Sequence, residues 1–256
     1  MSYGPQPSSE YPPRSDAQRE VMVQQPQVQP IVTYTILAVT VLVYLLQMAT
    51  QYSGTGIDLP AAWGMKVNNL IVAGQFWRLI TPVFLHGSII HIAFNMYALL
   101  IFGPGLERFY GHGRYLALYF ISGFAGNVAS FLFSSANSLG SSTAIFGLLG
   151  AEAVFLYQNR KLYGQRAQRA LINLVVIAGI NLVIGLQPGI DNWGHIGGLL
   201  GGTLFAWFAG PVLRLEGSYP NLTLTDQRGS SSSWLAGLGV FALFSVLAML
   251  GVYFKG

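Results

Sequence analysis

Residues 140–147 read Gly-Ser-Ser-Thr-Ala-Ile-Phe-Gly and open an apolar run that continues to about Tyr157. A serine flanked by glycine at the mouth of a hydrophobic helix is costly in a membrane unless its hydroxyl finds a partner. Glycine beside it lets a backbone approach closely. At about sixteen residues the run is short for a full span of the ~30 Å hydrocarbon core, so its N-terminus is expected below the membrane surface.

The same apolar character recurs along the chain. Segments are expected at about 30–48, 89–106, 115–133, 142–157, 171–186, 193–208 and 234–254. Charged residues make up only 9% of the chain and apolar ones 52%, which excludes a soluble domain and fits an all-α polytopic membrane protein. There is no cysteine, which excludes a thiol nucleophile, thiolate metal sites and a disulfide scaffold. Residues 1–29, rich in Pro, Gln and Ser, are expected to be a disordered tail. They lack a signal-peptide layout.

The loops set the orientation. Arg160, Lys161, Arg166 and Arg169 lie between segments 4 and 5 with no acid among them, so that link is expected in the cytoplasm. Parity then puts the 2–3 link, with Arg108 and Arg114, on the same side. The 3–4 link (134–141) and the 5–6 link (187–192) lack Lys and Arg and fall outside. The N-terminus is expected inside and the C-terminus, after seven spans, outside. The long connection from Ala49 to Ser88 carries Trp63, Phe76, Trp77 and Phe84. It reads as an outer, membrane-associated loop anchored by tryptophan and Arg78.

Polar residues within the segments gather at their outer ends, where they mark a site. Ser142 begins segment 4, His195 lies near the start of segment 6, and His86, His91 and Asn95 lie at the start of segment 2. Serine needs a base within hydrogen-bond reach to become a nucleophile, and His195 suits that task. No carboxylate sits at a matching helix position, so a Ser142–His195 dyad is expected. Asp191 is placed at the membrane surface. His91 and Asn95, four residues apart and so on one helix face, together with the Ser142 N–H at a helix N-terminus, are the expected oxyanion donors. Gly198 and Gly202 form a small-xxx-small face beside His195 that admits a neighbouring helix. Phe146, one turn beyond Ser142, is in reach of the imidazole. Ser141 is expected to cap the helix with its hydroxyl.

In its ordered set of motifs the chain resembles the rhomboid intramembrane serine proteases over about residues 30–212. The motifs are Phe76-Trp77-Arg78, His86-x4-His91-x3-Asn95, Leu106-Glu107-Arg108-Phe109-Tyr110-Gly111, Gly140-Ser141-Ser142-Thr143-Ala144 and Gly194-His195-x-x-Gly198-x-x-x-Gly202. The resemblance implies a six-helix bundle plus a seventh C-terminal transmembrane helix, reached through a cytoplasmic linker within residues 213–256. It implies Ser142 as nucleophile, His195 as base, His91 and Asn95 as oxyanion donors, and a supporting role for His86. Many members have glycine where this chain has Thr143, and a β-branched residue there is expected to narrow the substrate cleft.

The implied activity is an intramembrane serine endopeptidase acting on transmembrane segments of single-pass substrates in the lipid bilayer, with no cofactor, metal or nucleic acid. A catalytically inactive adaptor that binds transmembrane clients is the alternative. A transporter is disfavoured because no internal repeat is visible. Glu152, about 15 Å below Ser142 by helix rise, is expected to be hydrogen-bonded in the bundle and too deep to serve the dyad. Asn127, Asn173 and Asn181 are expected to join helices. Asn221-Leu-Thr matches a glycosylation acceptor but falls in a loop placed inside the cell.

Overall fold

The computed structural model describes residues 23–26, 28–54 and 56–256. Seven helical rods correspond to the seven expected segments. The first is α1 (Ile31–Tyr52). In the loop that follows are two short helices, α2 (Leu59–Gly64) and α3 (Asn68–Val72), and two 3-10 turns at Phe76–Leu79 and Thr81–Phe84. Segments 2 and 3 form α4 (Ile89–Phe133), broken at Gly111, whose φ of 73° is closed to most side chains. The chain folds back there: the Tyr115 hydroxyl on the second arm lies against Gly103 on the first.

Then come α5 (Ser142–Gln158), the single turn α6 (Arg160–Tyr163), α7 (Gln165–Ile184), α8 (Asn192–Ala209) and α9 (Ser230–Lys255). Helix α7 starts six residues before its expected boundary, so Arg166 and Arg169 ride on the helix rather than in a loop.

Four helices that supply five of these rods, α1, the two-armed α4, α7 and α9, are long and apolar enough to cross a membrane. The remaining two rods, α5 and α8, are the ones that carry Ser142 and His195. Helix α5 is enclosed by α4, α7 and α8 and is buried along most of its length, so protein rather than lipid sets its length. Helix α8 presents two glycine faces. Gly198 and Gly202 meet the backbone of Thr143 and Gly147 on α5, while Gly197 and Gly201 meet Ala125, Gly126 and Ala129 on the second arm of α4. Without side chains between them, the backbones pack at close range.

Glu107, fully buried, organises the opposite end of the bundle. Its carboxylate accepts the N–H groups of Val32 and Thr33, each at 2.8 Å, and the Thr33 hydroxyl at 2.6 Å. An acid from α4 thus satisfies orphan donors at the N-terminus of α1. His112 Nδ1 lies 2.6 Å from the same carboxylate.

At that end a small sheet departs from the helical pattern. Strands β1 (Val23–Gln24), β2 (Leu213–Ser218) and β3 (Asn221–Asp226) pair in the order β1-β3-β2, with β1 parallel to β3 and β2 antiparallel to it. The expected disorder of residues 1–29 is therefore corrected at Val23–Gln24, which gain a partner strand. The remainder of that expectation, residues 1–22 and 27, lies outside the described residues. The 213–226 linker is a hairpin, tied down by Arg114 on Asp226 at 2.7 Å and by Asn159, which bonds the backbone of Pro211 and Leu213. The turn at Gly111, the α5–α6 junction, the hairpin and the described part of the tail thus share one end of the bundle, as parity requires.

Candidate active site

The site lies at the other end, where the loop before α5 meets the starts of α4 and α8. Ser142 is the first residue of α5, and Asp191 caps α8 by accepting the Gly194 N–H at 3.0 Å. His195 follows in the first turn. The Gly198–Thr143 and Gly202–Gly147 contacts press the two helices together, and the His195 Nε2 comes 3.0 Å from the Ser142 Oγ. The Phe146 ring stacks on the imidazole at 4.4 Å with 9° between planes. The expected pair and its aromatic support are thus brought together. The other ring nitrogen, His195 Nδ1, is buried without a hydrogen-bond partner among the described residues. Asp191 spends one carboxylate oxygen on its cap and sits half-buried rather than exposed at the surface. Among the described residues no carboxylate hydrogen-bonds the imidazole, and the Phe146 face packs against it instead.

Gly140 precedes the serine with a φ of 138°. A Cβ there would lie 2.9 Å from His91 Cε1 and Nε2 and 3.6 Å from the Ser142 hydroxyl. Glycine is required on both counts, and its absent side chain leaves His91 and Ser142 facing one small space. His91 is half-buried and open to that space. Asn95 is buried one turn further on and donates its amide to the His91 carbonyl at 3.1 Å, which leaves its second N–H available.

Three expectations are corrected. Ser141 makes no cap hydrogen bond; its buried hydroxyl pairs with His86 Nε2 at 3.2 Å instead. His86 is itself buried, edge-on to His91 with ring centroids 5.0 Å apart. Burial and the neighbouring His91 push its pKa down to about 3, against a smaller raising effect from the Phe84 backbone. The ring is therefore neutral. Thr143 does not narrow a cleft. It is buried and points into the bundle, where Gly123, Gly126 and Gly194 make room for it. Arg78 is not an interfacial anchor: it is buried, and its guanidinium ties Met65 and Ala62 carbonyls together at 2.8 and 2.9 Å. The aromatic expectation for that loop fares better. Trp63, Phe76 and Trp77 are exposed, with the two tryptophans stacked at 5.6 Å.

The asparagines divide. Asn127 donates to the Leu79 carbonyl, joining α4 to the 3-10 turn at Phe76–Leu79. Asn181 bonds its own helix at Ile177. The side chains of Glu152 and Asn173 make no hydrogen bond among the described residues and border a cavity instead.

One residue escaped sequence reading. Lys66 is fully buried, and its Nζ donates to the carbonyls of Ser134 and Ala136 at 3.1 and 2.7 Å. Its backbone also pairs with Ser138. Together with Gly140 N–H on the Pro82 carbonyl at 2.9 Å, it fastens the outer loop to the strand of chain that delivers Ser142. A lone lysine in a loop reads as solvated, and only the carbonyls around it show otherwise. Burial pushes its pKa down to about 8, with Asp191 opposing.

Comparison with known proteins supplies the family. The Rhomboid domain model matches residues 73–212. The chain is 42% identical over 188 residues to "Rhomboid protease GluP" of Bacillus subtilis (strain 168), covering 73% of this chain and 36% of that protein. It is 36% identical over 184 residues to "RHOMBOID-like protein 6, mitochondrial" of Arabidopsis thaliana, covering 72% of this chain and 59% of that protein. With "RHOMBOID-like protein 9, chloroplastic" of the same plant it shares 36% identity over 160 residues, 62% of this chain and 37% of that protein. The matches therefore span from about a third to three-fifths of these relatives. Since the matched domain takes in more than half of the chain and all three helices that meet at Ser142, this multi-pass membrane protein belongs to the rhomboid family.

Proposed function

We propose that the chain is an intramembrane serine endopeptidase that cleaves transmembrane segments of single-pass proteins near the outer membrane face. The observation that carries this reading is the 3.0 Å contact between His195 Nε2 and Ser142 Oγ, held against the Phe146 ring. The name of the Bacillus subtilis relative, a protease, supports it.

In the reaction, Ser142 Oγ attacks the scissile carbonyl carbon as its proton passes to His195 Nε2. The charge that develops on the carbonyl oxygen is met by the Ser142 N–H at the start of α5, by His91 across the Gly140 gap, and by the free amide proton of Asn95. The imidazolium then protonates the leaving amine. A water, deprotonated by the same imidazole, hydrolyses the acyl-enzyme and restores the serine. Attack needs an extended backbone, so segments weakened by glycine are favoured substrates. The site faces the outside, with the N-terminus and the Gly111 turn in the cytoplasm.

A fluorophosphonate probe applied to membranes is expected to label the parent and not Ser142→Ala. Absence of labelling in a folded parent would leave the adaptor reading in its place. Single cysteines at Ser138 or Gly189 are expected to react with an impermeant reagent in intact cells, and one at Gln165 to stay silent. The reverse pattern would invert the orientation.

A further inference from the structure

A cavity of about 490 Å³ lies where the single turn α6 gives way to α7, at the end of the bundle away from Ser142. Leu162, Tyr163, Gln165, Arg166 and Arg169 line it, and Gly164, with a φ of 54°, makes the elbow between the two helices. Its charges are unspent. The side chains of Arg166 and Arg169 make no hydrogen bond or ion pair among the described residues. Arg160, just before them, differs: it donates to the Tyr157 carbonyl at 2.8 Å and lies over the Tyr157 ring. No acid is among the residues that line the cavity.

Two like charges at the rim of one recess repel, and an anion placed between them relieves this. A guanidinium offers paired N–H donors that match two oxygens of a phosphate. Hydrocarbon begins close by. Ile172 and Val176 follow Arg169 by three and seven residues, so they share its face of α7, and both are exposed. Three residues rise only about 4.5 Å. The cationic recess therefore runs directly into an apolar strip. A free phosphate would use the first alone, whereas a phospholipid uses both. With no acid to receive an ammonium, the recess favours a headgroup with net negative charge over a zwitterionic one.

We propose that this elbow is a binding site for an anionic phospholipid. Arg166 and Arg169 hold the phosphate, Tyr163 and Gln165 supply further donors, and an acyl chain lies along Ile172 and Val176. The site neither touches nor needs the dyad, so it stands whether or not the chain cleaves anything.

The test counts lipids on the full chain. Protein in detergent micelles is titrated with phosphatidylglycerol or with phosphatidylcholine of identical acyl chains, and bound lipid is read by native mass spectrometry. Phosphatidylglycerol is expected to fill one site well before phosphatidylcholine does. Arg166→Gln combined with Arg169→Gln should weaken that site roughly thirtyfold, about fivefold for each charge lost. Lys161→Gln combined with Arg108→Gln is the control. It removes two charges from the same end of the bundle but outside the cavity, and should leave the site within about twofold of the parent. All four positions are exposed, so both double variants should fold. Equal binding of the two lipids overturns the proposal. Equal losses in the two double variants overturn it too, since general surface charge would then explain the binding. Glycerol phosphate at the lipid's concentration should not displace phosphatidylglycerol; displacement would assign the recess to a soluble phosphate ester and remove the lipid.

Discussion

Gly198→Ala is the most informative single perturbation of the dyad, because it adds one methyl group whose nearest neighbours are backbone atoms of Thr143 and not the dyad's own atoms. The new Cβ would overlap the Thr143 carbonyl oxygen and sit 2.8 Å from its carbon and 3.1 Å from the Thr143 Cα, where ordinary contact begins at 3.4 Å. All three atoms are backbone, so no side-chain rotation relieves the clash. The start of α5 and the facing turn of α8 must separate by more than an ångström. Thr143 adjoins Ser142, so the displacement falls on the nucleophile itself. A Ser142–His195 distance of 3.0 Å then passes the limit at which a hydrogen bond is useful.

A misplacement near ~1 Å costs on the order of 10²-fold in rate, and overpacking costs ~1–3 kcal/mol of stability. The loss should appear in kcat with KM little changed, on a transmembrane substrate in vesicles, below the melting temperature of the variant. Gly179→Ala is the matched control. It lies exposed in α7 with nothing within 4 Å of an added Cβ, and should be neutral or stabilising by ~0.5–1 kcal/mol. A folded Gly198→Ala with the parent kcat would refute the claim that this glycine contact sets the dyad.

Other outcomes follow from single contacts. Ser141→Ala should keep probe labelling of Ser142 but lose ~1–3 kcal/mol, because the buried His86 Nε2 is left without a partner; a mutant that no longer labels would move the nucleophile by one residue. His91→Ala and Asn95→Ala should each slow turnover with the fold intact, by up to ~3–4 kcal/mol in the barrier for one lost oxyanion donor. Parent rates in both singles and the double would remove them from the oxyanion site. Glu107→Gln should lower the thermal midpoint, as one amide oxygen replaces a carboxylate that accepts three donors from Val32 and Thr33; an unchanged midpoint would show that α1 is held elsewhere. For Lys66 the folded pKa, about 8, lies below its ordinary value of 10.5. The charged form is therefore disfavoured by folding, the penalty is full below about pH 8, and stability should rise as pH climbs from there toward 10.5. Hydrogen exchange across residues 64–67 reads this, and Lys66→Met should flatten the profile; an identical rise in that variant would assign the effect to another group.

Much of this protein is legible in one dimension because the bilayer imposes a simple rule. A stretch that crosses lipid must be apolar and must satisfy its own backbone, so α1, both arms of α4, α7 and α9 announce themselves. Polar residues inside such stretches stand out for the same reason, which is why Ser142, His91, Asn95 and His195 were recognisable before any fold was known. Spacing also put Phe146 on the face of Ser142, and Gly198 and Gly202 on the face of His195, since a helix repeats on a fixed period.

What the sequence could not decide were matters of partner and direction. The motif already favours Ser142 over Ser141 as the partner of His195, but nothing in it shows that the Ser141 hydroxyl meets the buried His86 rather than capping the helix. Thr143 was assigned to the cleft because a linear pattern carries no inside or outside; three glycines on two other helices draw it inward. Arg78 reads as an interfacial anchor until the Met65 and Ala62 carbonyls close around it, and nothing in the sequence marks Lys66, whose partners are carbonyls at residues 134 and 136. Val23–Gln24 looked structureless because a two-residue strand acquires its hydrogen bonds only from β3, two hundred residues away. A helical period is a local property of the backbone and survives in the sequence. A buried polar group is defined by what stands opposite it, and that is settled only when the chain has folded.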